Sequence, residues 1–251
     1  MKTLVCFYGL DRATNVAFPY FEPNVVEHLG DVDILTSLSS RHADPDEFLP
    51  ARSRYAQTAD EPDDYRPLLG THYKDRSAGN WVTHGVHIYY HKMRVRELVL
   101  DRDLWTKYDW FVIARTDMLW LAPHVDFREF PPCAMIPEGE DWGGVNDRHF
   151  VCHRDHVIQA LSQWDVVTDD DHPLWRVLLQ HRELNTEQCL ALYLDHHRIP
   201  VRRFQSAGFL TGTPTSYTGW AGIKHDPLHS FHYKYKSEYE RALRNAETLR
   251  R

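Results

Sequence analysis

The chain holds no run of about 20 apolar residues, so it offers no transmembrane span. Its four cysteines, Cys6, Cys133, Cys152 and Cys189, form no C-x-x-C pair. That speaks against a structural zinc site and a disulfide framework, and leaves reduced, mostly buried thiols. Cations are in deficit, with 29 Lys and Arg against 36 Asp and Glu and a net charge of −7. They are scattered apart from short pieces such as Arg202-Arg203, so no nucleic-acid-binding surface is expected. No internal repeat or low-complexity tract is present. The N-terminal apolar stretch is too short for a signal peptide and reads as a first core strand, so a cytoplasmic location is expected.

What is there suits a soluble globular protein. At 251 residues, with 42% hydrophobic and 26% charged residues, the chain can bury a sizeable core, and one domain is the simplest count. Leu4 to Tyr8 is strand-like and stops at Gly9. A helix-compatible stretch around Asn24 to Leu29 leads to a second short strand, Val32 to Leu35. This β-α-β opening predicts a parallel sheet. Residues 41–79 carry Pro45, Pro50, Pro62 and Pro67 with few apolar runs, and read as an irregular insertion. Trp81 to Leu100 is expected to be a long helix, with Val86, Tyr89, Tyr90, Met93 and Leu100 at roughly helical spacing. The run Trp110 to Ala114 reads as a buried strand, followed by short strands at Cys133–Ile136 and Phe150–Cys152. Asp155 is expected to cap a helix whose apolar residues include Val157, Ile158, Leu161 and Trp164. Asn185 and Gln188 resemble a capping box at the start of another helix. Ile199 to Val201 reads as an edge strand and Tyr235 to Arg251 as a polar helix.

Several constellations carry potential chemistry. The buried strand at Trp110–Ala114 delivers Arg115 and Asp117 at its C-terminal end, where open α/β sheets bind ligands. Asp117 can supply one hard oxygen ligand to a divalent cation. Tyr8-Gly9-Leu10-Asp11-Arg12 ends the first strand in a glycine, which lets a ligand approach the backbone, and Arg12 suits phosphate. In Gly143-Gly144-Val145-Asn146-Asp147 the paired glycines permit close contact with a ligand, and Asp147 is the candidate general base. Glu187, in the first turn of its helix, is the second candidate. Taken singly, each pattern also has a plain structural reading: a salt bridge, a tight turn, an Asx turn and a helix start. Seventeen histidines are present. His149, His153 and His156 straddle an expected strand-helix junction, so a convergent zinc site there is disfavoured. A late histidine such as His232 is a better partner for Asp117. Trp142, beside the glycine loop, and Trp220 are candidate ligand platforms, although tryptophans commonly just fill cores.

The ordered set YGLDR, VDIL, YDWFVIARTD, GGVND and NTEQ resembles nucleotide-sugar-dependent glycosyltransferases of the GT-A fold, in particular small bacterial and large-virus enzymes of polysaccharide and glycan synthesis. The resemblance spans about residues 3–204. It implies an α/β fold with a Rossmann-like, mostly parallel central sheet flanked by helices. The nucleotide-sugar-binding half would cover about residues 1–120 and the acceptor half about 121–251. It further implies donor contacts at Tyr8, Gly9, Leu10, Arg12, Arg115 and Asp117, and acceptor contacts at Trp142, Gly143, Gly144 and Asn146. Arg115 stands where the first acid of a D-x-D motif would be, so only Asp117 carries over as a ligand. A cation, Mn²⁺ or Mg²⁺, would then be held by Asp117, phosphate, water and His232, or be partly dispensable because Arg115 replaces some of its charge. The implied partners are a nucleotide-sugar donor, UDP-linked by family habit, and a glycan or small-molecule acceptor. In an inverting enzyme Asp147 removes the acceptor proton, and that outcome is slightly favoured over retention. A metal-dependent phosphoester hydrolase and an inactive nucleotide- or sugar-binding module are the competing classes.

Overall fold

The computed structural model describes residues 1–11, 13–40, 48–76, 81–181, 185–213 and 222–250. β1 (Thr3–Gly9) leads through α1 (Thr14–Phe21) and a π-helical segment (Glu22–Glu27) to β2 (Val32–Ser39). α2 (Phe48–Arg52), β3 (Tyr55–Ala59) and α3 (Thr71–Arg76) follow, then the long α4 (Trp81–Asp101) and short α5 (Leu104–Lys107). The chain continues through β4 (Trp110–Arg115), β5 (Met118–Trp120), β6 (Ala134–Pro137) and β7 (His149–His153). Next come α6 (Arg154–Ala160), α7 (Gln163–Thr168), α8 (Trp175–Leu178), α9 (Thr186–His196) and β8 (Val201–Phe204). β9 (Gly208–Leu210), β10 (Lys224–Asp226), β11 (Phe231–Tyr233) and α10 (Lys236–Leu249) complete it. No helix among the described residues is long and apolar enough to cross a membrane.

Seven strands form a mixed, mostly parallel sheet in the order β3-β2-β1-β4-β7-β6-β8, flanked by helices. The fold is therefore the expected α/β class. β1 is apolar along its length because both of its faces are covered. Leu4, Cys6 and Tyr8 pack on one side with Val95, Val99, Val157 and Leu190. Val5 and Phe7 pack on the other with Phe18, Phe21 and Trp120. The strand alternation that separates these sets also decides which side chains reach the site.

The register brings distant segments together at one end of the sheet. β1 and β4 are parallel with Tyr8 opposite Arg115. β7 runs antiparallel to β4 with His149 opposite Ala114, so the residues entering β7 lie beside those leaving β4. The Arg115 amide accordingly donates to the Arg148 carbonyl at 3.3 Å. Tyr8-Gly9, Arg115-Asp117 and Asp147-Arg148 share one edge for this reason.

Five local expectations need correction. The described part of 41–79 is not irregular: β3 pairs in parallel with β2 as the edge strand. Its alternate residues are half-exposed and polar, and Gln57 donates to Ser37 Oγ and the Arg94 carbonyl, so no apolar run announced it. Asp155 does not cap α6; His153 does, accepting from the Asp155 amide. Trp164 belongs to the separate helix α7. In α4, Val86, Tyr89 and Met93 are buried as expected, but Leu100 is exposed, and Val95, Leu98 and Val99 complete the inner face. The edge strand expected at Ile199–Val201 starts only at Val201.

His124 and His149, both buried, meet Nε2 to Nε2 at 2.8 Å on the face opposite α4. His124 Nδ1 donates to the Val125 carbonyl at 2.9 Å, so its Nε2 accepts from His149. The 3.3 Å approach of His149 Nδ1 to the Ile113 carbonyl then lacks a proton while both rings are neutral. Burial lowers both histidines, His124 to about 4 and His149 well below its ordinary value. Unfolded histidines bind protons below about pH 6.5 while these folded rings do not, so the pair removes stability as pH falls through that value. Against a His124→Phe/His149→Phe double variant, urea denaturation should show the wild type losing up to about 2.7 kcal/mol per pH unit between about pH 6.5 and 4.5. Parallel stability curves would contradict the assignment.

Candidate active site

The donor-side residues converge. Tyr8, Gly9, Leu10, Arg115, Thr116 and Asp117 line one open cleft, closed on its far side by His87, Ile88 and His91 of α4. Gly9 has φ +102°, a left-handed conformation that a side chain would strain, and it turns the chain away at the mouth of the cleft. Thr116 Oγ1 donates to the Leu10 carbonyl at 2.6 Å and ties the two strand-end loops together. Arg12 and Trp220 lie outside the described residues.

Arg115 and Asp117 face each other as a fork. Arg115 Nε donates to Asp117 Oδ1 at 2.9 Å and Nη2 to Oδ2 at 2.6 Å. Asp117 is buried, with the Thr211 amide on its carbonyl at 2.9 Å. Thr211 Oγ1 in turn donates to the His232 carbonyl at 2.8 Å. His232 is thus joined to the Asp117 loop through backbone, while its ring sits 4.7 Å from that of His225 on the β10–β11 ribbon. Among the described residues no group of three His, Cys, Asp or Glu side chains is placed to hold a metal.

The two downstream loops also meet. GGVND docks onto the start of α9, with the Val145 amide donating to the Glu187 carbonyl at 3.1 Å. A Cβ on Gly144 would stand 2.1 Å from that same carbonyl oxygen, so only glycine permits the contact. Gly143 lies against the Gln188 side chain. Asn185 and Gln188 form the expected capping box, and Asn185 Nδ2 also donates to the Trp142 carbonyl at 2.8 Å. Trp142 is 56% exposed, so its ring is open to solvent at the loop and fills no core. Asn146 is buried with its amide spent on bracing the turn, donating to the Gly139 carbonyl and accepting from the Arg148 amide.

Asp147 is 2% exposed, and its Oδ2 has no hydrogen-bond partner among the described residues. A desolvated carboxylate oxygen left unpaired is costly, and such groups concentrate where chemistry needs them. Its backbone carbonyl accepts from Tyr8 Oη at 3.2 Å, which couples it to the donor cleft. Glu187 is also buried. Burial and the Asp147 charge raise its carboxyl to about 7.

Three parts of the site escaped sequence reasoning. Lys92 of α4 is 1% exposed, with Nζ 5.3 Å from the Phe150 ring centroid and 5.9 Å from that of Tyr8. Burial lowers its ammonium, while Asp147, Cys189 and Glu187 work to keep it charged. Its one signal was a lysine three residues after Tyr89 on the buried face. His91 is the second, with Nε2 2.5 Å from Glu61 Oε1. Burial raises the Glu61 carboxyl, but the bonds from His91 and Ser39 outweigh it and hold it down at about 2. Arg148 is the third. It is buried against Glu238 of α10 at 3.2 Å and over the Tyr235 ring at 4.4 Å, which pins the C-terminal helix to the loop carrying Asp147.

The fold and site define an α/β protein with a cleft at the carboxyl ends of two parallel strands and two buried carboxylates beside it. Residues 99–211 match a family model described as a domain of unknown function (DUF7796). That span contains Arg115, Asp117, Asp147 and Glu187. A comparison with curated proteins returns no match. Among solved structures, the chain is similar to a glycosyltransferase involved in the glycosylation of the major capsid of PBCV-1, at 10% identity and a TM-score of 0.44 over 82% of this chain and 83% of that one.

Proposed function

We propose that the chain is a glycosyltransferase that moves a sugar from a nucleoside diphosphate, UDP in the first instance, to a hydroxyl of a glycan or small-molecule acceptor. The observation that carries this reading is the buried, unpartnered Asp147 Oδ2 next to a cleft lined by Tyr8, Gly9, Arg115 and Asp117. The strand-end motifs support it, since Tyr8-Gly9, Arg115-Asp117 and Asp147 lie at one end of the sheet, whereas VDIL opens β2 at the other end.

In this reading the donor diphosphate lies over Gly9 and Leu10 with Arg115 beside it. The acceptor hydroxyl reaches Asp147 Oδ2, which takes its proton as the oxygen attacks the anomeric carbon. The sugar–phosphate bond breaks on the opposite face and the configuration inverts. Charge builds on the leaving diphosphate, where the guanidinium offsets it. Burial and the Asp147 charge raise the Glu187 carboxyl to about 7. Lys92 faces both electrostatically and favours that charge. Trp142 offers an exposed ring on which an acceptor sugar can pack. Asn146 acts by holding the turn.

The test is a melting screen of the full chain with UDP, GDP, CDP and ADP. A nucleotide at 100 times its Kd adds about 2.7 kcal/mol, a rise of roughly 5–11 °C for a chain of this size. If none of the four moves the transition, the reading fails.

A further inference from the structure

We infer that this site holds the donor diphosphate on the Arg115 guanidinium, with no divalent cation between protein and phosphate; the inference rests on the glycosyltransferase reading. A cation bridging to a diphosphate needs hard oxygen ligands from the protein. Asp117 is the one carboxylate among the described residues that line the cleft. Both of its oxygens accept from Arg115, each from a different nitrogen of the fork. An ion on the remaining lone pairs would sit beside a fixed positive charge. The histidines do not complete a ligand set: His87 and His91 line the α4 wall of the cleft, His91 Nε2 is engaged by Glu61, and among the described residues no three His, Cys, Asp or Glu side chains are placed to hold a metal.

The same fork supplies what the ion would. A guanidinium has five N–H donors, and Asp117 takes two. The other three remain on a side chain that lines the cleft, and among the described residues Nη1 has no hydrogen-bond partner. Asp117 thereby aims the guanidinium, as carboxylates orient arginines at phosphate sites through bidentate geometry. A carboxylate where a metal ligand would be expected becomes a positioning group for an arginine.

The experiment is calorimetric titration of UDP, GDP, CDP and ADP into the full chain, in EDTA and again in MnCl₂. One nucleotide is expected to bind with affinities agreeing within about twofold in the two buffers, and Arg115→Ala should weaken it at least tenfold, about 1.4 kcal/mol, in both. Asp117→Asn keeps one acceptor for the fork and serves if Arg115→Ala fails to fold. It should retain binding in EDTA within about fivefold of wild type, a change of roughly 1 kcal/mol. Binding that requires Mn²⁺, or Mn²⁺-enhanced binding that Asp117→Asn abolishes, overturns the inference and leaves the glycosyltransferase reading standing. Failure of all four nucleotides to bind in either buffer overturns the reading itself, and the inference with it.

Discussion

Asp147→Asn is expected to reduce sugar transfer by about 10²–10⁴-fold, the range for loss of a positioned general base, while the protein stays folded. The substitution preserves shape at a side chain whose Oδ2 is buried without a hydrogen-bond partner among the described residues. Loss of the charge relieves repulsion with Glu187 and deprives Lys92 of a counter-charge. These effects oppose each other, so Tm should shift by no more than about 3 °C, roughly 1 kcal/mol for a chain of this size. A second readout separates a catalytic from a structural role. Because Asp147 helps to raise Glu187 to about 7, the variant should lower the Glu187 midpoint in a carboxyl-selective NMR titration. An unchanged midpoint would show that the two carboxylates do not share a site. Activity within about threefold of wild type, well short of a general base's contribution, would remove Asp147 from the mechanism.

The second large effect is steric. Gly144→Ala places a methyl group 2.1 Å from the Glu187 carbonyl oxygen and 2.4 Å from the Gln188 nitrogen. Both are backbone atoms at a capped helix start, so neither can rotate away. The loop must detach from α9, losing the Val145–Glu187 hydrogen bond. The expected cost is about 3 kcal/mol, at the upper end for overpacking, or roughly 6–12 °C in Tm. Transfer should fall with it, because Asp147 is three residues farther along the same loop. Gly222→Ala is the control, since nothing lies within 4 Å of its added Cβ. Thermal and urea denaturation of both variants check this. A Gly144→Ala protein as stable as wild type would mean that the two loops are not docked as described.

How far the sequence foretold this arrangement depends on the range of the interactions involved. β1 and β4 were legible because burial on both faces demands continuous apolar runs. The strand ends followed, and with them the grouping of Tyr8, Gly9, Leu10, Arg115 and Asp117. The Asn185–Gln188 capping box is a local motif and was read directly. The edge strand β3 was not, because a half-exposed parallel edge imposes no apolar pattern and its polar residues bond to β2 and α4. In the sequence, Lys92 is indistinguishable from a solvated lysine on a helix. Only the packing of α4 against Tyr8 and Phe150 reveals it as buried. The His124–His149 contact joins residues 25 positions apart, and no spacing rule would pair them. The R-x-D pattern was seen, but whether its arginine and aspartate meet each other or a ligand depends on backbone geometry beyond β4. Arg12 stays an expectation from the motif, since it lies outside the described residues.

The central claim is sugar transfer at the edge shared by β1, β4 and the loop before β7. The most direct measurement is ¹H and ³¹P NMR of the full chain incubated with a panel of UDP-, GDP-, CDP- and ADP-linked sugars and a mixture of simple glycoside acceptors. The account predicts release of a nucleoside diphosphate from one donor, with a new glycosidic signal of inverted anomeric configuration that is lost in Asp147→Asn. Retained configuration would contradict the role given to Asp147. Every donor remaining intact, with no nucleotide bound, would contradict the account as a whole.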